Sequence, residues 1–104
     1  NVSTGSDFSL LRLREAPPEG AVYLGWSSAS FAPGEPVAGI HHPSGTYKRI
    51  SFGDITNTGS PSTGTRLNRP IERFHEVTWN SGTTEPGSSG SPILLPGSLQ
   101  VIGQ

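Results

Sequence analysis

The sequence predicts an all-β domain, and three observations support this prediction. Short runs of β-branched, aromatic and leucine residues alternate with turns rich in the chain's 14 glycines and 10 prolines. No ten-residue stretch shows a helical period of apolar residues. Charged residues make up only 14% of the 104-residue chain, whereas disordered chains are highly charged and poor in aromatics. The length suits one small domain, and closely spaced strands indicate either a β-sandwich or a small barrel.

The first half of the chain contains four predicted strands. Residues 10–13 form a short strand that runs into a loop with two prolines, and residues 21–26 form a buried strand bounded by Gly20 and Ser27. Residues 37–42 and 47–53 flank a turn of Pro, Ser, Gly and Thr at 43–46. Two strands joined by a turn of this composition predict a β-hairpin.

The second half begins with residues 56–65, whose Thr, Ser, Gly, Asn and Pro composition predicts a flexible exposed loop. Residues 73–79 alternate as a half-buried strand does, and residues 80–90 form a long loop. Residues 92–95 and 99–104 are two further strands joined by a turn. Because the last strand is apolar and unprotected, we expect a truncated chain, whose open edges allow pairing between copies.

Composition excludes several classes of partner. The net charge is −1 and no Lys/Arg cluster is present, which argues against nucleic-acid binding. No apolar run approaches the length of a membrane span, and no signal-peptide pattern occurs in these residues. The chain has no cysteine, so disulfides and thiolate zinc sites are ruled out within it. No cofactor is indicated.

The most informative motif is Gly-Ser-Ser-Gly-Ser-Pro at residues 87–92, in which Ser89 lies close to two glycines. A serine hydroxyl becomes a nucleophile when a base takes its proton, and the resulting oxyanion needs backbone N–H donors. Glycine allows the tight bend that supplies such donors. The same six residues also suit an ordinary surface turn, so the motif alone leaves both interpretations open.

Four segments in order carry a resemblance to the lysyl endopeptidase branch of bacterial trypsin-like serine proteases. They are Ser-Asp-Phe-Ser-Leu-Leu-Arg-Leu at 6–13, Gly-Ile-His-His-Pro at 39–43, Lys-Arg-Ile-Ser at 48–51 and Thr-Glu-Pro-Gly-Ser-Ser-Gly-Ser-Pro-Ile at 84–93. The resemblance implies a trypsin-like, chymotrypsin-fold β-barrel, mostly the C-terminal barrel, truncated at both ends. Residues 1–15 would be the last strand of the N-terminal barrel, and residues 16–104 a C-terminal barrel that is incomplete at its end.

The resemblance also implies roles for particular residues. Asp7 matches the triad aspartate, Ser89 matches the nucleophile, and the backbone N–H groups of Gly87 and Ser89 match the oxyanion hole. In this fold the catalytic histidine precedes the aspartate. The chain's three histidines, His41, His42 and His75, all follow Asp7, so none is assigned as the base.

His41 and His42 are adjacent on a predicted strand, so their side chains cannot both face one site. We expect one of them to pack against the hairpin and the other to form a hydrogen bond at its end. Too few ligands converge for a metal site.

The implied function is part of a secreted, lysine-preferring serine endopeptidase that acts on peptide or protein substrates through an acyl-enzyme on Ser89. These residues alone should be inactive, because the catalytic histidine lies upstream. Ser88 stands where animal trypsin-like proteases have an aspartate that captures the new N-terminus, so that activation switch is not expected. In trypsin the residue six positions before the nucleophile selects basic side chains. Here that residue is Thr83, which is uncharged, so lysine preference rests on analogy with relatives.

Three alternatives stay open. A glutamyl endopeptidase shares the serine motif, and Glu85 could then be a contact at the rim of the site. A protease-like binding module without a catalytic histidine would keep the fold and lose the activity. An unrelated β-sandwich that binds carbohydrate or mediates adhesion would make the Asp7 and Ser89 motifs coincidences.

Overall fold

The computed structural model describes residues 2–3, 8–59 and 74–104. Within these ranges the strands are β1 (Val2–Ser3), β2 (Phe8–Ser9), β3 (Pro36–His41), β4 (Arg49–Gly59), β5 (Phe74–Ser81), β6 (Ile93–Leu94) and β7 (Val101–Gly103). The only helical element in the described part is a single 3₁₀ turn at Pro43–Gly45. The predicted all-β class is therefore confirmed.

Five of the strands form one antiparallel sheet in the order β5-β4-β3-β6-β7, while β1 and β2 pair with each other. The ladder between β4 and β5 is interrupted twice by irregular register, next to Gly53 and next to Thr56. Such irregularities bend a strand and increase its twist. They fit the curl of this sheet, which forms an antiparallel half-barrel.

The buried apolar side chains lie on β3, β4 and β6, the three central strands of the sheet. They are Val37 and Ala38 on β3, Ile55 on β4 and Leu94 on β6. The sequence favours this arrangement because β4 alternates, with residues 51, 53 and 55 buried and residues 50 and 52 exposed. β3 is the middle strand of the sheet: Ala38 and Gly39 pair with β6 on one side, and β4 pairs with the whole of β3 as far as His41 on the other.

The predicted hairpin is confirmed. β3 pairs antiparallel with β4, from Pro36 opposite Asp54 to His41 opposite Arg49. The predicted strands at 73–79, 92–95 and 99–104 correspond to β5, β6 and β7 with shifted or shorter bounds. These predictions succeeded because each strand is bounded by Gly, Pro or Asn residues that favour turns.

Two predicted strands are wrong. Residues 10–13 contain no strand, and Leu10, Leu11 and Leu13 are exposed. Residues 21–26 are not a buried strand either, since the Tyr23 side chain is 76% exposed. This segment instead runs extended beside β7, where Trp26 forms a single parallel bridge with Val101. Apolar composition marked these runs as strands, but a strand also needs a neighbouring ladder, and composition does not show where one is available.

The predicted loop at 56–65 is wrong over its first four residues. β4 continues to Gly59, with Asn57, Thr58 and Gly59 paired to β5. Polar side chains do not prevent backbone pairing where one face of the ladder is solvated. Residues 60–65 lie outside the described residues, as does Asp7. The division at residue 15 between two barrels stays a prediction.

Candidate active site

The loop that carries Ser89 consists of two successive tight turns. We call residues 83–91 the serine loop. The N–H of Ser88 donates to the carbonyl of Glu85 at 2.9 Å, and the N–H of Ser91 donates to the carbonyl of Ser88 at 3.1 Å. The third residue of each turn is a glycine with positive φ, Gly87 at +94° and Gly90 at +83°. Glycine at this position, preceded by Pro86 in the first turn, is the signature of a type II turn.

Gly87 is required for its conformation and also for its packing. A side chain at this φ would be strained, and its Cβ would lie 3.3 Å from the carbonyl oxygen of His42. The serine loop therefore lies close against the connection between β3 and β4. Only glycine allows this approach without moving one of the two segments.

Ser44, in the turn between β3 and β4, anchors the serine loop directly. Its N–H donates to the carbonyl of Pro86 at 2.8 Å, and its hydroxyl donates to the carboxylate of Glu85 at 2.8 Å. Ser44 has a φ of +51°, which is uncommon outside glycine. The turn thus adopts a less favourable backbone conformation in which both groups of Ser44 contact the loop.

His41 provides a second, buried connection. Its side chain is only 2% exposed, with Nδ1 2.9 Å from the Ser88 hydroxyl oxygen and Nε2 3.0 Å from the Ser51 hydroxyl oxygen. Ser51 in turn donates to the carbonyl of Thr83 at 3.1 Å, and the N–H of Glu85 donates to the Ser88 hydroxyl at 3.2 Å. The serine loop is therefore connected to the sheet at two points, through His41 at Ser88 and through Ser51 at Thr83.

A cleft of about 590 Å³ lies beside the serine loop. This volume is within the range of small-ligand and peptide side-chain sites. Its floor is the sheet, where the ring of Trp79 covers Gly39, so that a Cβ on Gly39 would lie 2.8 Å from the ring. The Trp79 indole N–H donates to the Thr84 hydroxyl at 3.2 Å, which connects the floor to the loop.

His75 forms part of the same cleft wall. Its ring meets Phe31 edge to face, with centroids 5.7 Å apart, and its Nδ1 is buried without a hydrogen-bond partner in the described part of the chain.

Among the described residues, no group of three or more His, Asp or Glu side chains is placed to hold a metal ion. No described helix is both long and apolar enough to cross a membrane.

Ser89 is the second residue of the second turn, and its side chain is exposed at the cleft. Within the described part of the chain, neither its N–H nor the N–H of Gly87 donates a hydrogen bond. Two free donors next to an exposed hydroxyl are the elements that an acyl-transfer site needs around its nucleophile.

The predicted site residues have different outcomes. Ser89 lines the cleft, and Gly87 precedes it by two residues in the first turn of the serine loop, while Asp7 is outside the described residues. No described histidine forms a hydrogen bond with the Ser89 hydroxyl. His42 is exposed and its Nδ1–H donates to the carbonyl of Thr46 at 3.1 Å, as expected for a histidine at the end of the hairpin.

The bond between His41 and Ser88 was not predicted. Its sequence signal was weak, because Ser51 and Ser88 are 10 and 47 residues away from His41. Only the expected alternation of faces at residues 41 and 42 indicated that one histidine would be buried.

The protein family described as lysyl endopeptidase, C-terminal domain, matches residues 1–104, the whole chain. The chain belongs to this lysyl endopeptidase family. The resemblance seen in the four sequence segments is thus confirmed, and the half-barrel fits the trypsin-like C-terminal barrel expected of this family.

A lysyl endopeptidase of Pseudomonas aeruginosa is 40% identical over 101 residues. The aligned region covers 93% of this chain and 20% of that relative, so the chain spans about a fifth of the relative's length. No solved structure matches the chain significantly. Membership of the lysyl endopeptidase family relates the chain to serine endopeptidases, and the activity itself is a matter of proposal.

Proposed function

We propose that this chain is part of a secreted serine endopeptidase that hydrolyses peptide bonds through an acyl-enzyme on Ser89. One observation carries the proposal. Ser89 is exposed at a cleft in a tight turn, next to two backbone N–H groups, its own and that of Gly87, that have no acceptor among the described residues. Membership of the lysyl endopeptidase family supports the same reaction.

In this mechanism the Ser89 hydroxyl oxygen attacks the carbonyl carbon of the scissile peptide bond. A histidine outside these residues takes the hydroxyl proton, and Asp7 holds that imidazole in the required orientation. The N–H groups of Gly87 and Ser89 bind the oxyanion of the tetrahedral intermediate. The proton then passes to the leaving amine, the C–N bond breaks, and water releases the acyl group by the same steps.

Lysine preference is the finer part of the proposal. It is supported by the name of the Pseudomonas aeruginosa relative, a lysyl endopeptidase. Glu85 is the acidic side chain closest in sequence to Ser89, but its carboxylate already accepts a hydrogen bond from Ser44. We therefore expect lysine selectivity to come from an acidic group outside these residues. Peptides with lysine, arginine or glutamate before the scissile bond separate lysyl, general tryptic and glutamyl specificity.

The experiment that tests the proposal is labelling of the full-length gene product with a fluorophosphonate probe, which reacts with activated serines. We expect the wild type to be labelled and Ser89→Ala to be unlabelled. Ser91→Ala is the matched control, because Ser91 lies two residues further along the same loop and should be labelled like the wild type. Asp7→Asn should reduce the labelling rate strongly, since loss of the triad aspartate misorients the base.

Failure to label a folded wild-type protein would contradict the enzyme proposal. The protease-like binding module would then be the better interpretation, because no described histidine contacts the Ser89 hydroxyl. For the isolated 104 residues we propose no activity and self-association through open strand edges. Size-exclusion chromatography and the same probe test both points.

A further inference from the structure

His41 is the most deeply buried ionisable side chain among the described residues, and the mechanism above does not use it. Both of its ring nitrogens are bonded to serine hydroxyls, Nδ1 to Ser88 and Nε2 to Ser51. A buried histidine with two partners could simply be a satisfied core residue. The direction of the hydrogen bonds indicates a more specific role.

The proton positions follow from the ends of the chain of bonds. The Thr83 carbonyl can only accept, so the Ser51 hydroxyl donates its proton there. The Ser51 oxygen must then accept from His41, which places a proton on Nε2.

At the other nitrogen, the Ser88 oxygen already accepts from the N–H of Glu85. A proton on Nδ1 of His41 as well would leave the Ser88 proton without an acceptor among the described residues. The ring proton of His41 is therefore assigned to Nε2, and Nδ1 accepts from the Ser88 hydroxyl.

The result is one continuous, fully matched chain of hydrogen bonds. It runs from the N–H of Glu85 through the hydroxyl of Ser88, the ring of His41 and the hydroxyl of Ser51 to the carbonyl of Thr83. Buried networks in which every group is satisfied make a structure rigid, whereas a network with one member missing is costly.

This network joins the two strands of the hairpin to the serine loop. Its side chain on the serine loop belongs to Ser88, whose peptide bond to Ser89 carries one of the two proposed oxyanion donors. Restricting Ser88 therefore restricts both the nucleophile and that donor. A displacement of about 1 Å in such a group can cost about 100-fold in rate.

We propose that His41 is a positioning residue for Ser89, and that it acts by holding the Ser88 side chain. The claim rests on the proposed function of Ser89. The role requires the Nε2–H tautomer and the bond from Nδ1 to Ser88, and it requires no contact between His41 and substrate. Burial alone would not predict either requirement.

Two replacements of His41 separate its two bonds. Asn is short and places its amide near the position of Nδ1, so His41→Asn keeps an acceptor for Ser88. Gln is longer and places its amide near Nε2, so His41→Gln keeps a partner for Ser51. Ser88→Ala removes the same bond from the other side. His42→Asn is the matched control, since His42 is the neighbouring exposed histidine.

The test uses the full-length gene product and measures the fluorophosphonate labelling rate, kcat and KM. We expect His41→Gln and Ser88→Ala to lower the labelling rate and kcat by about 10- to 100-fold with little change in KM. His41→Asn should retain more of the rate than His41→Gln, and His42→Asn should equal the wild type. The double variant His41→Gln/Ser88→Ala should be no slower than the slower single variant, because both remove one bond.

Two measurements do not depend on activity. Long-range ¹⁵N–¹H spectra of the histidine-labelled wild type should show a protonated Nε2 and a bare Nδ1 on His41. Hydrogen exchange of peptides from the serine loop should be faster in Ser88→Ala than in the wild type. Together they decide the proposal even if a variant folds poorly.

The proposal is overturned if the folded His41→Gln and Ser88→Ala proteins label at the wild-type rate, or if His41 carries its proton on Nδ1. A wild type that is not labelled at all would contradict the function of Ser89. In that case unchanged hydrogen exchange in Ser88→Ala would overturn the role of His41, and faster exchange would support its hold on the loop.

Discussion

The imidazole Nδ1 of His41 lies 2.9 Å from the hydroxyl oxygen of Ser88, the residue directly before Ser89. If Ser89 is the nucleophile, as proposed, Ser88 takes the place of the aspartate that receives a new N-terminus in animal trypsin-like proteases. Here the side chain at that position is held by a residue of the adjacent sheet. We infer that the serine loop takes its shape from contacts with the β3–β4 hairpin rather than from an activation cleavage.

The first prediction concerns Ser51, the far end of the hydrogen-bond network. Ser51→Ala leaves the Nε2–H of His41 without its acceptor, and a buried unpaired donor costs about 1–3 kcal/mol. We expect a loss of that size in the free energy of unfolding, measured by urea denaturation. Ser81→Ala on β5 is the control, because Ser81 is exposed and should change stability by less than about 0.5 kcal/mol. Equal stability of the two variants would contradict the assigned network.

The second prediction concerns Gly87. Gly87→Ala introduces a Cβ at a φ of +94°, 3.3 Å from the carbonyl of His42, so the turn must shift. Because a misplaced oxyanion donor costs about 100- to 1000-fold in kcat, we expect a loss in that range in a peptide hydrolysis assay. Gly97→Ala serves as the control, since Gly97 has open space around it and no positive φ. Wild-type kcat in Gly87→Ala would exclude the Gly87 N–H from the site.

The third prediction concerns the floor of the cleft. A Cβ on Gly39 would lie 2.8 Å from the ring of Trp79, so Gly39→Ala must displace the indole. We expect KM for peptide substrates to rise several-fold, while labelling by a small fluorophosphonate changes little. The control is Gly103→Ala on β7, where nothing lies within 4 Å. If KM were unchanged in Gly39→Ala, peptides would bind elsewhere.

The fourth prediction compares two isoleucines of the same strand. Ile55 is fully buried, so Ile55→Ala removes core contacts and leaves a cavity, at a cost of about 2–5 kcal/mol. Ile50 on β4 is 52% exposed, and Ile50→Ala should cost clearly less. Urea denaturation of both variants checks the prediction. Similar losses would mean that the face of the sheet that carries Ile50 is packed as well.

The local sequence was sufficient to predict those features of the fold that depend on residues close together in the chain. The turn at 43–46 predicted the hairpin, and the glycines at 87 and 90 indicated a tight bend around Ser89. Both predictions succeeded because positive φ and turn formation are properties of individual residues.

The same approach failed for residues 21–26. Val22 and Tyr23 favour strands, yet this segment is exposed and forms only one bridge to β7. Burial depends on which surface packs against a segment, and a strand-like composition carries no information about that surface. The error at residues 56–59 is the reverse. Their polar composition predicted a loop, yet they belong to β4, and residues 57–59 pair with β5.

By itself, the sequence determined the all-β class, the family, and the glycine-containing bend at Ser89, because these depend on residue type and short-range order. The tertiary structure alone decided which groups His41 contacts. Its partners Ser51 and Ser88 are distant along the chain and meet it only when β4 and the serine loop pack around the end of β3. A hydrogen bond needs its two atoms within about 3 Å of each other, and only the folded sheet brings these groups that close.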